Sequence, residues 1–94
     1  MKIDWRPKAV RDLDAIVDYI ATDNTVAAVE QGDEIYKQVT DIKNFPEIGR
    51  RGRVQGTLEL VIVKTPYIAA YRIKGSKIQV LRILHSSQPW PSSF

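Results

Sequence analysis

The side chains best suited to chemistry in this sequence are its one histidine, His85, and the arginines at 50, 51, 53, 72 and 82. An imidazole can move a proton near neutral pH, and guanidinium groups can stabilise charge that develops on a phosphoryl oxygen. Three of the arginines stand among glycines in "GRRGRVQG", residues 49–56, directly before the most apolar part of the chain. The carboxylate of Glu59 follows within that apolar part. A metal site is disfavoured by a single histidine, the absence of cysteine and the lack of clustered carboxylates. Neither a phosphate-cradling GxxxxGK[ST] loop nor a nucleophile elbow is present. Catalysis, if any, would rest on arginine and histidine without a cofactor.

The elements that must position these residues belong to a chain of 94 residues, expected to be one domain over 1–94. With no cysteine, disulfide and thiolate chemistry are excluded and a reducing compartment is natural. No apolar run approaches the ~18 residues of a spanning helix, so no membrane association is expected. "MKIDWRPKAV" has an acid at Asp4 and no apolar segment, so it does not read as a signal peptide, and a cytoplasmic protein is expected. The net charge is +3, with a pI of about 9.3. From Lys43 onward there are nine Lys/Arg and only two carboxylates, Glu47 and Glu59. So basic a second half suits nucleic acid or an acidic partner, or is a solvated basic face.

Residues 1–5 alternate as a short strand. "RP" then opens a helix whose apolar stripe is Ala9, Val10, Leu13, Ile16, Val17 and Ile20. After "TDN", with Asn24 or Thr25 as cap, a second helix is predicted from about Val26 to Lys43. Gly32 lies on its stripe, which suggests close approach of the first helix. "NFPEIG" breaks this helix and "RRGRVQG" reads as a loop. Three strands follow at about 57–64, 67–74 and 77–85, the last two joined by a Gly75-Ser76 turn of type II′. The order β-α-α-β-β-β predicts an α+β fold, a short N-terminal strand and two-helix hairpin packed on a twisted antiparallel sheet.

Period-two alternation assigns Leu58, Leu60, Ile62, Ala69, Tyr71, Ile73, Ile78, Val80, Arg82 and Leu84 to the helices. The opposite face carries Glu59, Arg72, Gln79 and His85. Two-residue turns would align Glu59, Arg72 and Gln79 in one cross-strand row, either a structural ion pair or part of a site. His85 would lie roughly 20 Å from Gln79 along the strand at ~3.3 Å per residue. Arg82, on the helix side, would need a carboxylate from Asp12, Asp14 or Asp18. Gln88 and Trp90 in "SSQPWP" are expected to fold back near His85.

The segments "DLDAIVDYIATDN", "FPEIGRRGRVQGTLELVI", "TPYIAAYRI" and "IQVLRILHSSQPWP" resemble the RelE/ParE superfamily of type II toxin–antitoxin modules, over Trp5 to Pro91. The resemblance implies a growth-arresting toxin of a plasmid-stabilisation module, neutralised by a cognate antitoxin and able to form a hetero-oligomer with it. RelE-like members cut mRNA in the ribosome without a metal. ParE-like members inhibit DNA gyrase and are not enzymes. On the first reading, which is favoured, Arg72 and His85 would be catalytic. Arg50, Arg51, Arg53, Glu59, Arg82, Gln88 and Trp90 would bind nucleic acid or target. The strand arginine of well-known cleaving members falls at Ile68, and Leu58 stands where relatives usually have arginine. A gyrase inhibitor, or a detoxified homologue that still binds antitoxin, is therefore the alternative.

Overall fold

A computed structural model describes residues 1–94. Strand β1 (Lys2–Trp5) leads into helices α1 (Pro7–Ala21) and α2 (Thr25–Thr40), followed by a 3₁₀ turn, Asp41–Asn44. Strands β2 (Arg50–Arg51), β3 (Leu58–Val61), β4 (Tyr67–Lys74) and β5 (Lys77–His85) complete the chain. They form one sheet of order β1-β5-β4-β3-β2. The expected α+β architecture is the observed one, with two differences. A two-residue strand occupies the predicted Gly-Arg loop, and β1 runs parallel to β5, which makes the sheet mixed.

Local chemistry explains the helix ends. Pro7 occupies the first turn of α1, where an amide proton has no intrahelical partner. The Asn24 side chain accepts from the Ala27 amide at 2.9 Å and caps α2. Regular α-helix stops at Thr40 rather than Lys43, and the last residues tighten into the 3₁₀ turn. A β-carbon at Gly32 would stand 2.9 Å from Val17 Cγ2, so glycine permits the helices to approach closely. The helices bury Ala9, Ile16, Ile35 and Val39 against Ile62, Ala69, Tyr71, Ile78, Val80 and Ile83 of the sheet side.

Two irregularities change the predicted register. Ile62 N–H donates to the Tyr67 carbonyl, so the β3–β4 connection spans residues 63–66 and not only Thr65-Pro66. Lys64 adopts a left-handed φ of 69° within it. Glu59 therefore faces Ala70, two residues from the expected Arg72. The β4–β5 hairpin starts as predicted, with Lys74 opposite Lys77 and Arg72 opposite Gln79. A bulge between Ala70 and Tyr71 then inserts one residue of β5, and Ala70 faces Arg82 instead of Leu81. One extra residue inverts the alternation that follows. Ile83 thus joins the helix-side core, while Arg82 and Leu84 move to the register of the outer face.

The outer face is not left bare. Ile68, Ala70 and Leu84 are buried there, outside the helix-side cluster. The C-terminal segment turns back toward this side, where the Trp90 ring meets the Arg53 guanidinium. Ser86 N–H donates to the Pro66 carbonyl at 2.8 Å, and Trp90 and Pro91 are half-buried.

Candidate functional site

The Gly-Arg loop is held to the sheet by Glu59. Its carboxylate is 2% exposed. It accepts from Arg50 Nε and Nη2 at 3.3 and 3.1 Å, and from the Arg53 backbone amide at 2.8 Å. The Arg53 side chain adds contacts at 3.2 and 3.3 Å. Desolvation raises the pKa of this carboxyl, but hydrogen bonds from Arg53 and Arg50 outweigh it and hold the group below 4.5. Gly52 packs so closely on Thr57 that any β-carbon would collide with Thr57 Oγ1. Arg50 and Arg53 therefore neutralise a buried anion within a tight loop. Arg51, opposite Leu58, points the other way and is exposed.

Trp90 enters the same cluster: the Arg53 guanidinium lies 3.8 Å from the centre of its ring. Gln88 lies at the end of β5, where its Oε1 accepts from the His85 amide at 2.7 Å.

Arg72 and His85, the expected catalytic pair, are not brought together. Arg72 donates through Nε to Gln79 Oε1 at 2.7 Å. His85 is opposite Tyr67 and meets its ring edge-on at 5.4 Å. The two positions are five steps apart along β4, roughly 16 Å at ~3.3 Å per residue. The bulge also puts His85 in register with the helix-facing residues, so the expectation of one shared outer face is overturned. His85 Nδ1 accepts from the Ser87 amide at 3.1 Å and contacts Ser87 Oγ at 2.7 Å. Accepting that amide proton leaves the imidazole's own proton on Nε2.

Arg82 has the acidic partner that its position called for, though it lies in the outer-face register. Its Nε and Nη2 donate to Asp12 at 2.7 and 3.0 Å, and Asp12 also accepts from the Ile83 amide at 2.9 Å. The hydrogen bond to Asp12 raises the Arg82 pKa, against desolvation. Asp12 reaches the β5 backbone here because β1 pairs with β5 only as far as Val80.

Folding also gathers residues that the sequence reading did not single out. Arg6, Lys8 and Arg11, from the start of α1, line a concavity of about 400 Å³ together with Arg72 and Arg82. Pro91 and Phe94 close one side of it. Asp4 pairs with Arg6 at 3.3 Å and Asp12 with Arg82, which leaves Lys8, Arg11 and Arg72 without a carboxylate partner. The available signal was the run "RPKAVR", whose three cations fall within one and a half turns of the helix start. No three His, Asp or Glu side chains converge into a metal-binding group.

A two-helix hairpin on a five-stranded sheet, with a basic outer face and a tail folded over it, defines a small toxin of the RelE/ParE type. Residues 3–90 match the family model described as ParE toxin of the type II toxin–antitoxin system parDE, and the chain belongs to that family. It is 38% identical over 90 residues to Putative toxin Y4kP of Sinorhizobium fredii, covering 96% of this chain and 93% of the relative. It is 29% identical over 84 residues to Toxin RelE2 of Caulobacter vibrioides, covering 89% and 93%. A solved structure, the chromosomal ParDE system from P. aeruginosa, superposes with a TM-score of 0.83 at 34% identity, over 90% of this chain and 95% of that one.

Proposed function

We propose that this chain is a ParE-like toxin that arrests growth by inhibiting DNA gyrase without catalysis, and that a cognate antitoxin neutralises it in a hetero-oligomer. The observation that carries this reading is that Arg72 and His85 are both far apart and in opposite registers of the sheet. An RNA-cutting site needs a proton carrier and phosphate-stabilising cations within hydrogen-bond reach of one ribose and its phosphate. Here they stand roughly 16 Å apart along the strand and on opposite sides of the sheet register. His85 Nδ1 is occupied by Ser87, and its bonds tie together the end of β5 and the tail. This reverses the preference for mRNA cleavage drawn from sequence.

The test is induction in growing cells, with labelled methionine and labelled thymidine followed together. Filamentation and early loss of thymidine incorporation are expected, with purified gyrase inhibited in a supercoiling assay. An early stop in translation with gyrase unaffected would sink the proposal and restore mRNA cleavage. In the same assay His85→Gln retains full toxicity, whereas general acid–base catalysis through His85 would lose ~10²–10⁴-fold.

A further inference from the structure

Lys2, Lys77 and Lys74 occupy one register row across β1, β5 and β4. All three are exposed and none has a carboxylate within 4.0 Å. Like charges directly opposite each other in a sheet are mildly destabilising, a cost that a bound anion would relieve. The next row on the same face is Asp4, Gln79 and Arg72. Beyond it opens the basic concavity at the start of α1. From Lys77 to Arg82 is five residues, roughly 16 Å at ~3.3 Å each. At a rise of about 3.4 Å per nucleotide, that length spans about five phosphates of one strand.

We propose that this outer face is a track for the phosphodiester backbone of duplex DNA, with the lysine row at one end and Lys8 and Arg11 at the other. The choice of duplex DNA rests on the gyrase reading above; the track itself does not. Phosphate is favoured over an acidic protein because the lysine row itself lacks an exposed apolar anchor. Val26, Val29 and Tyr36 project from α2, whereas the lysine row has no large apolar neighbour on its own face to form the dry centre of a protein interface. Recognition through phosphates is independent of sequence and strongly dependent on salt. The toxin would thus hold the DNA on which gyrase acts as well as the enzyme.

The experiment is fluorescence anisotropy of the full-length toxin with a 20-base-pair duplex, from about 0.05 to 0.3 M salt, without gyrase. The triple variant Lys2→Gln/Lys74→Gln/Lys77→Gln is expected to lower the log–log salt slope by about two to three and weaken binding roughly 10²-fold at low salt. Its melting temperature stays equal or rises, because the like-charge row is relieved. A control, Lys37→Gln/Lys43→Gln/Lys64→Gln, removes the same charge away from the track and keeps the wild-type slope. Equal losses in both triples, or none in the track variant, would overturn the proposal. Tighter binding to a 20-nucleotide single-stranded RNA would overturn the choice of duplex DNA. A wild-type toxin that inhibits gyrase but does not bind the duplex refutes the track alone. One that binds the duplex but spares gyrase refutes the proposed function alone.

Discussion

At the scale of single residues, two carboxylates organise the arginines. Glu59 is buried beneath Arg50 and Arg53, and its pKa is lowered in the folded chain. A depressed carboxyl contributes stability that is fully present above its unfolded value and is lost as pH falls through the folded one. Denaturant unfolding should therefore show stability falling as pH drops below about 4.5. Glu59→Gln flattens that slope and costs about 1–3 kcal/mol at pH 7, since two guanidinium groups lose their counter-charge. The other carboxylate, Asp12, joins α1 to β5 through Arg82 and the Ile83 amide. Asp12→Ala and Arg82→Ala should each cost about 2–3 kcal/mol. A double-mutant cycle in urea should give a coupling of about 1 kcal/mol or more. Additive losses would show that the pair does not act as a unit. Leu58 packs on the helix-side core, away from the outer face. Leu58→Arg should leave toxicity on induction unchanged; a large gain would support a detoxified chain.

At the scale of elements, the bulge in β5 and the C-terminal tail decide what the outer face presents. The bulge moves His85 into the register opposite to that of Arg72, and Ile68, Ala70 and Leu84 are buried on the outer side. The Trp90 ring is held between the Arg53 guanidinium at 3.8 Å and the Phe94 ring at 6.5 Å. A chain ending at Ser87 should still fold, with stability reduced by about 1–3 kcal/mol. Its fluorescence would come from Trp5 alone, whose ring stacks on Tyr36 at 5.9 Å. The difference spectrum, full chain minus truncated chain, should be blue-shifted relative to a water-exposed indole. A difference spectrum like that of free tryptophan would mean that the tail is detached.

For the whole molecule, the helical hairpin and the sheet present different surfaces. The hairpin side carries exposed Tyr19, Val26, Val29 and Tyr36 beside the carboxylates of Asp14, Asp18 and Asp33. The sheet side is basic. Saturating antitoxin, which binds the folded toxin and not the unfolded chain, should raise the melting temperature, by about 4 kcal/mol of stability at a thousandfold excess over Kd. No shift in calorimetry would count against an antitoxin-binding chain. No helix is long and apolar enough to cross a membrane.

The sequence by itself determined the two helices, the start of the β4–β5 hairpin and the order of the longer elements. Each depends on local signals that act over a few residues: Pro7 at a helix start, the Asn24 cap, the apolar stripes and the Gly75 turn, where φ is +61°. The basic second half and the family pattern were equally legible. Tertiary structure alone decided the site. One inserted residue in β5 and a longer β3–β4 loop shift side chains by a register that no local propensity encodes, because a bulge is selected by packing on both faces at once. For the same reason Arg6, Lys8 and Arg11 meet Arg72 and Arg82 only in three dimensions: the cluster is set by how α1 leaves the edge of the sheet, where β1 ends and β5 continues.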